Sequence, residues 1–131
     1  MTEVVFLSKD DLLYLHQQEM SMSGTIASLR DVEMLNACTE APKATYSGKF
    51  LMNIFEMAAT YLISICIRHP FTDGNKRVAF LSCVIFLELN DYEFEEKYDG
   101  EAADIVIEFL SKSKPKEFII QYLIDRTLPK E

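Results

Sequence analysis

Basic charge is scarce in this chain of 131 residues. Thirteen lysines and arginines stand against 21 aspartates and glutamates, which gives a formal net charge of −8. A general nucleic-acid-binding protein needs a basic face to neutralise phosphates, so direct nucleic-acid binding is not expected. A small basic site remains compatible with the composition, because positive charge is concentrated at Arg68, Lys76 and Arg77.

The chain also lacks the cysteine spacing of a disulfide framework or a zinc site. Its three cysteines, Cys38, Cys66 and Cys83, stand in apolar stretches without a CxxC pair. We expect them to be buried, reduced thiols of a cytoplasmic protein. The first residues, Met1–Leu7, have no basic region and too short an apolar run for a signal peptide.

No apolar run is long enough to span a membrane. The strongest candidate, Ile54–Ile67, is shorter than the roughly 20 residues that a bilayer requires. Asn53 and Glu56 also place polar groups at its start. We therefore expect no membrane association, and we interpret this segment as a buried central helix.

Helical periodicity runs through nearly the whole chain and predicts an all-α fold. Capping signals at Ser8 and at Ser28–Asp31 predict helices that reach about Met20 and Pro42, with a loop over Met20–Ile26. Later helices are predicted over Lys49–Arg68, Val78–Leu89, Asp99–Leu110 and Lys114–Arg126, with a short extended piece at Tyr92–Phe94. We predict a single domain, residues 1–131, built as a compact bundle of about six helices. Its two buried central helices flank a polar turn.

That polar turn, His69–Arg77, has the residue types of a phosphate site. Gly74 and Asn75 begin the second central helix, whose first N–H groups and positive dipole end favour an anion. Lys76 and Arg77 add positive charge at the same place, and an arginine can hold two phosphate oxygens. These four residues are the candidate nucleotide ligands.

The remaining side chains of the turn supply a base and a metal ligand. Asp73 is suited to hold Mg²⁺ against phosphates, because this ion prefers a few oxygen ligands plus substrate phosphate. His69 can accept a proton near neutral pH. Phe71 is expected to point inward and anchor the turn. Together these groups are what phosphoryl or nucleotidyl transfer to a hydroxyl requires.

Simpler interpretations of the same residues exist. A histidine before proline at a helix end is commonly a cap or a surface residue, and Gly74–Arg77 could begin an ordinary helix. Gly48–Lys49 lacks the spacing of a P-loop, so no phosphate site of that type is expected. His16, the other histidine, is expected on a helix face or in the core rather than in catalysis.

The stretch His69–Arg77 resembles the HxFx(D/E)(G/A)N(K/G)R signature of the Fic/Doc superfamily. Nucleotidyl-transferring Fic proteins usually have glycine at the position of Lys76. A lysine there resembles the Doc ("death on curing") branch of the superfamily. The segments Arg30–Pro42 and Phe55–Leu62 are also similar to Doc toxins, so the resemblance spans nearly the whole chain. It implies a compact Fic fold and a toxin of a type II toxin–antitoxin module, in a bacterial or phage-borne cytoplasmic setting.

The resemblance also implies a reaction and a role for each site residue. Doc toxins are protein kinases that transfer the terminal phosphate of ATP to a threonine of elongation factor Tu, which halts translation. His69 would be the base that deprotonates the target hydroxyl, and Asp73 would be the Mg²⁺ ligand. The anion hole would comprise Gly74, Asn75, Lys76 and Arg77.

Two other functions stay open beside the kinase. One is a Fic-type nucleotidyl transferase that moves AMP to a protein hydroxyl, and the other is a non-catalytic helical nucleotide-binding or interaction module. Lys76 favours the kinase, since a lysine fills the space that glycine leaves for a phosphate and so favours another orientation of the nucleotide. Intact His69 and Asp73 disfavour the non-catalytic module.

The inhibitory pattern (S/T)xxxE(G/N) of many Fic proteins is not found in this sequence. Ser113–Glu117 has the spacing but is followed by Phe118. The resemblance therefore implies restraint by a separate antitoxin, through a helical segment that docks in an apolar groove. The predicted lining of that groove is Leu12–Met20 and Arg30–Thr39.

Overall fold

The computed structural model describes residues 3–131, which form six α-helices and two short antiparallel sheets. The helices are α1 (Lys9–Ser23), α2 (Val32–Glu40), α3 (Ile54–Arg68), α4 (Asn75–Leu89), α5 (Glu101–Ser111) and α6 (Lys116–Asp125). The strands are β1 (Thr45–Tyr46), β2 (Lys49–Phe50), β3 (Tyr92–Phe94) and β4 (Thr127–Pro129). The helical fold class is confirmed; Met1 and Thr2, with which the predicted domain begins, lie outside the described residues.

α3 and α4 form the centre of the bundle, as predicted. α3 packs against α2, α4 and α6, while α4 also contacts α1, α5 and β3. Both helices are apolar on most sides, which suits elements that have neighbours all around. In the part of the chain that the structure describes, no helix is both long and apolar enough to cross a membrane.

Two helices begin with a reciprocal pair of hydrogen bonds between side chains and backbone N–H groups of the first turn. At α1, the Ser8 hydroxyl accepts the Asp11 N–H (3.1 Å) and the Asp11 carboxylate accepts the Ser8 N–H (2.8 Å). Asn53 and Glu56 repeat this reciprocal pair at α3, with both distances at 2.9 Å. Such pairs satisfy N–H groups that have no partner inside the helix, so they fix where each helix begins.

The prediction for the ends of the first two helices was partly wrong. α1 continues to Ser23, three residues past its predicted end at Met20, and ends at Gly24 in the left-handed region (φ 69°). α2 begins after Asp31, whose carboxylate accepts the N–H groups of Glu33 and Met34. Ser28 is not the cap, because its backbone pairs with Thr72 instead.

The predicted start of the third helix at Lys49 was also wrong. Ser47 and Gly48 both have positive φ (51° and 78°) and form the turn of a hairpin in which β1 pairs with β2. Two consecutive residues of positive φ give the turn whose twist matches a β-hairpin. The helix can begin only after this hairpin, at the Asn53 cap.

The C-terminal part differs from the prediction at its ends. The predicted extended piece is β3, but its partner β4, which follows directly after the last helix, was not predicted. α5 is capped by Gly100 rather than Asp99, and α6 begins after Pro115.

Glu101 connects α5 to α6. Its carboxylate accepts hydrogen bonds from Arg126 Nε (2.8 Å), Arg126 Nη2 (3.0 Å) and the Tyr122 hydroxyl (2.9 Å). The hydrogen bonds from Arg126 lower the pKa of the Glu101 carboxyl to about 2, although its burial acts in the opposite direction. The C-terminal helices are thus held together by a charged group that titrates well outside its ordinary range.

The three cysteines are buried and unpaired, as predicted. Burial raises the pKa of the Cys38 thiol to about 11 and that of Cys66 to about 12. Burial also raises the pKa of Cys83, which is inaccessible to solvent. All three are neutral core groups at physiological pH.

Candidate active site

The turn after α3 begins at His69, which ends the helix in the left-handed region (φ 49°, ψ 60°). Its N–H still donates to the Ile65 carbonyl (3.1 Å), so the helix is regular up to that point. Pro70 follows, and a proline disfavours helical geometry in the residue before it. The helix therefore stops here and leaves the His69 side chain exposed.

Arg30 holds the end of α3 in place. Its Nε donates to the His69 carbonyl (2.6 Å) and its Nη2 to the Arg68 carbonyl (2.8 Å). The last carbonyls of a helix have no partner within it, so a guanidinium that spans two of them satisfies both and complements the negative dipole end. Sequence reasoning missed this role, because the contact joins residues far apart in the chain.

The segment before α2 also pairs with the turn through its backbone. The N–H groups of Arg30 and Asp31 both donate to the Pro70 carbonyl, at 2.7 and 3.1 Å. The Thr72 N–H donates to the Ser28 carbonyl (2.9 Å), and the Thr72 hydroxyl accepts the Ser28 N–H (3.0 Å). The first half of the turn is thereby fixed as one side of a short antiparallel contact.

Phe71 and Asn75 hold the turn from inside. Phe71 is 1% exposed, which confirms that it points inward. The Asn75 side chain donates to the Phe71 carbonyl (2.9 Å) and accepts the Phe71 N–H (3.1 Å). Because the oxygen and the nitrogen of this amide are both bonded to Phe71, the backbone N–H of Asn75, rather than its side chain, is available to the cleft.

All the predicted site residues border one cleft of about 440 Å³. The lining consists of His69, Thr72, Asp73, Gly74, Asn75, Lys76 and Arg77. Of these, only Thr72 was not predicted as a site residue.

α4 begins at the floor of this cleft without a side-chain cap. Its N-cap is Gly74 (φ 81°), which has no side chain to accept the first N–H groups. The neighbouring cations are exposed, and no carboxylate of residues 3–131 lies within salt-bridge distance of Lys76 or Arg77. Unsatisfied donors and unpaired positive charge at one helix end favour a bound anion.

Asp73 is the one carboxylate on the cleft wall. Its Oδ1 accepts the Gly74 N–H (2.7 Å), and the side chain is exposed. Within residues 3–131, no group of three or more His, Cys, Asp or Glu side chains is close enough to hold a metal ion. A single carboxylate beside a helix start that favours anions is compatible with Mg²⁺, which is commonly bound by one or two carboxylates together with substrate phosphates.

His16 packs under the turn from α1. It is 5% exposed, which confirms the expected core position. Its ring stacks on Phe71 with centroids 3.8 Å apart and planes 5° from parallel. Its Nε2 lies 3.0 Å from the carbonyl oxygen of Asp73. The sequence carried no signal for this contact, which joins positions 57 residues apart.

A second, smaller recess of about 120 Å³ adjoins the cleft, and Lys76 and Arg77 border both. The other lining residues are apolar and come from α4 and α5: Phe80, Ala103, Val106 and Ile107. Two basic side chains are thus shared by the polar cleft and the apolar recess.

Comparison with known proteins gives consistent matches. A model of the Fic/DOC family matches residues 6–87, which include the whole turn and most of α4. A protein of Escherichia phage P1 named protein kinase doc is 29% identical over 101 residues, covering 77% of this chain and 79% of that protein. A protein of Mycolicibacterium smegmatis named toxin Doc is 30% identical over 97 residues, covering 70% and 75%.

Proposed function

This chain belongs to the Fic/DOC family, and we propose that it is a toxin that acts as a protein serine/threonine kinase. It transfers the γ-phosphate of ATP to a hydroxyl of a translation factor, with elongation factor Tu as the expected target. The observation that carries the proposal is the uncapped start of α4, where Lys76 and Arg77 face the same cleft as His69 and Asp73. The names of the two relatives, one a kinase and one a toxin, support it.

His69 is the proposed general base. It lies exposed at the cleft, and no side chain of residues 3–131 hydrogen-bonds its ring, so the ring is accessible to a substrate hydroxyl. In the proposed step His69 takes the hydroxyl proton while the hydroxyl oxygen bonds to the γ-phosphorus. The bond between that phosphorus and the bridging oxygen to the β-phosphate breaks, and ADP leaves with the electron pair.

The start of α4 is the proposed phosphate site. The N–H groups of its first turn and the two cations would hold the phosphate oxygens and stabilise the charge that develops on them. Asp73 would hold Mg²⁺, which neutralises phosphate charge when bound. The Arg77 guanidinium is suited to two oxygens at once, and Lys76 to a single one.

The recess beside the cleft is the proposed site of the nucleobase. Phe80 and Ile107 offer apolar surface, and the stems of Lys76 and Arg77 connect it to the phosphate site. A nucleotide has this same combination of an anionic end and a flat, largely apolar end, so the two neighbouring cavities suit it better than a simple phosphate ester.

An antitoxin protein is the proposed partner, since both the toxin name of one relative and the lack of an inhibitory pattern in this sequence favour restraint from outside. A helical antitoxin segment docked in an apolar groove remains the prediction for how it binds, with the lining given above. A toxin that acts on a translation factor would work in the cytoplasm.

The kinase proposal is tested with ATP labelled either at the γ-phosphate or in the adenine ring. The purified protein, Mg²⁺ and elongation factor Tu are incubated with each form, and the factor is examined for label. We expect label from the γ-phosphate alone. Label that arrives from adenine would identify nucleotidyl transfer and overturn the kinase.

The role of His69 is tested in the same assay and in cells. We expect expression of the wild-type chain to arrest growth, and we expect His69→Ala to transfer no label and to relieve that arrest. The side chain is exposed and makes no hydrogen bond to another side chain of residues 3–131, so the variant should fold normally by circular dichroism. A His69→Ala variant that still arrested growth would remove His69 from the base role.

A further inference from the structure

The buried histidine of α1 has contacts that a simple core residue does not need. We propose that His16 is a positioning residue, which orients the peptide between Asp73 and Gly74 and through it both the proposed metal ligand and the start of α4. This inference rests on the proposed function for its effect on activity. Its structural part stands on the contacts of His16 alone.

The hydrogen bond fixes the tautomer of the His16 ring. A carbonyl oxygen only accepts hydrogen bonds, so the Nε2 that lies 3.0 Å from the Asp73 carbonyl must carry the hydrogen. The stack on Phe71 sets the plane of the same ring. The stack on Phe71 therefore determines where the ring lies, and the hydrogen bond to Asp73 uses the ring Nε2–H as a directed donor.

The Asp73 carbonyl and the Gly74 N–H belong to one planar peptide group, in which the two point in opposite directions. Fixing the carbonyl therefore fixes the direction of the N–H. That N–H donates to Asp73 Oδ1 (2.7 Å), so the orientation of the peptide also determines where the carboxylate lies. His16 therefore influences the position of the Asp73 carboxylate through the peptide group, without contacting the carboxylate directly.

Gly74 explains why this peptide needs an external contact. Glycine accepts many backbone conformations, so the peptide before it is more easily rotated than one flanked by other residues. α1 packs directly against this position: a methyl group built on Gly74 would collide with the end of Met20 and come 3.8 Å from His16 Cδ2. Gly74 can adopt its φ of 81° because it has no side chain, and the close packing of α1 restricts the other conformations that a glycine could adopt there.

Two substitutions separate the donor from the ring. His16→Phe keeps a ring to stack on Phe71 but removes the donor. His16→Gln places an amide N–H near the position of Nε2 but removes the stack. Leu12→Val, one turn earlier on the buried face of α1, is the matched control that loosens packing while both His16 contacts remain.

The activity readout is kcat and KM for ATP, measured over a range of Mg²⁺ concentrations. We expect His16→Phe to fold with near wild-type stability but to lower kcat about 10- to 100-fold, because small displacements of reacting groups cost that much. We expect His16→Gln to lose thermal stability yet retain kcat within about threefold of the wild type. Leu12→Val should lower stability and leave kcat unchanged.

A second readout needs neither nucleotide nor metal. The amides to follow are those of Gly74 and Val78, which donate to Asp73 Oδ1 and to the Gly74 carbonyl. Their hydrogen exchange is expected to be about tenfold faster in His16→Phe and unchanged in Leu12→Val. Unchanged exchange together with unchanged kcat in His16→Phe would overturn the inference. So would a loss of kcat in folded His16→Gln as large as that in His16→Phe.

The two proposals fail differently. If the wild-type protein transfers no phosphate, the proposed function fails while the exchange measurement still decides whether His16 orients the turn. If the wild type is active and His16→Phe is equally active with unchanged exchange, the positioning role fails and the kinase remains.

Discussion

The two histidines of the chain differ in their surroundings, and the different roles proposed for them rest on this difference. His69 is exposed on the cleft, whereas His16 is buried and holds a backbone carbonyl. The sequence was sufficient to select His69, because its neighbours within nine residues already supply a carboxylate, a glycine and two cations. Nothing near His16 in sequence indicates its contact with the turn.

Asn75 is the first residue for which a stability effect can be predicted. Asn75→Ala leaves both the N–H and the carbonyl of buried Phe71 without their partner. We expect the free energy of unfolding to fall by about 2–3 kcal/mol, measured by urea denaturation. Asn75→Asp keeps the acceptor for the Phe71 N–H and should lose less. Equal stability of wild type and Asn75→Ala would show that the turn is held by other contacts.

Asp73 allows charge to be separated from hydrogen bonding. Asp73→Asn keeps an oxygen that can accept the Gly74 N–H but removes the negative charge. We expect phosphate transfer to fall on the order of 100-fold, with partial recovery at high Mg²⁺, because the ion loses its only protein carboxylate in the proposed site. Thermal unfolding should be little changed, since the side chain is exposed. Full activity of Asp73→Asn at low Mg²⁺ would exclude the metal-ligand role.

At the scale of elements, the starts of the helices distinguish α4 from its neighbours. α1 and α3 begin with reciprocal side-chain caps, and α2 begins with the Asp31 carboxylate. These caps are local, three residues or fewer from the groups that they bind, and the Ser8 cap was predicted correctly from sequence for that reason. The Asn53 cap was missed because the third helix was predicted to begin at Lys49. The hairpin was missed because a long apolar pattern after Ser47–Gly48 was interpreted as one helix.

The end of α3 gives a test at this scale. Arg30→Met keeps the aliphatic stem but leaves the Arg68 and His69 carbonyls without their donor. We expect faster hydrogen exchange of the His69 amide and a fall in kcat of about tenfold or more, because the proposed base is no longer held at a fixed position.

Arg30→Lys is the matched control for that substitution. A lysine is a single point donor and cannot span two carbonyls in a fork, so an intermediate effect is expected. If Arg30→Met changed neither exchange nor kcat, the backbone contacts of residues 28–31 would be sufficient to position His69.

At the scale of the whole molecule, sequence reasoning predicted the helical class and the central pair α3 and α4. Their apolar character on most sides is visible in composition alone, and it also identified the polar turn between them as unusual. What could not be predicted is the long-range assembly of that turn, to which α1 contributes His16 and the segment before α2 contributes Arg30. Those contacts depend on how the helices pack against one another, and the hydrophobic periodicity of the sequence does not specify that packing.

Acid sensitivity is predicted for the C-terminal helices through Glu101. Its pKa is about 2 in the folded protein, whereas an ordinary glutamate titrates near pH 4.3. A lowered folded pKa gives stability that is fully present above the unfolded pKa and is lost as pH falls through the folded pKa. The Glu101 contribution should therefore disappear between about pH 4 and pH 2.

Glu101→Gln tests this by removing the charge at nearly constant shape. The variant should unfold at a lower urea concentration than the wild type at pH 7, and the difference should shrink as the pH approaches 2. A difference that stayed constant from pH 7 to pH 2 would show that packing, rather than the ion pair with Arg126, is what the substitution disturbs.

The uncapped start of α4 has a consequence for how the protein persists in a cell. A helix that cannot complete its own first hydrogen bonds gains stability from an anion that completes them, so binding of the proposed nucleotide would be thermodynamically linked to folding. At a free nucleotide concentration 100 times the dissociation constant, this linkage is worth about 2.7 kcal/mol. If the proposed nucleotide binds there, the melting temperature becomes a measure of its occupancy. The cellular nucleotide pool would then help to keep the chain folded whenever the proposed antitoxin is not bound.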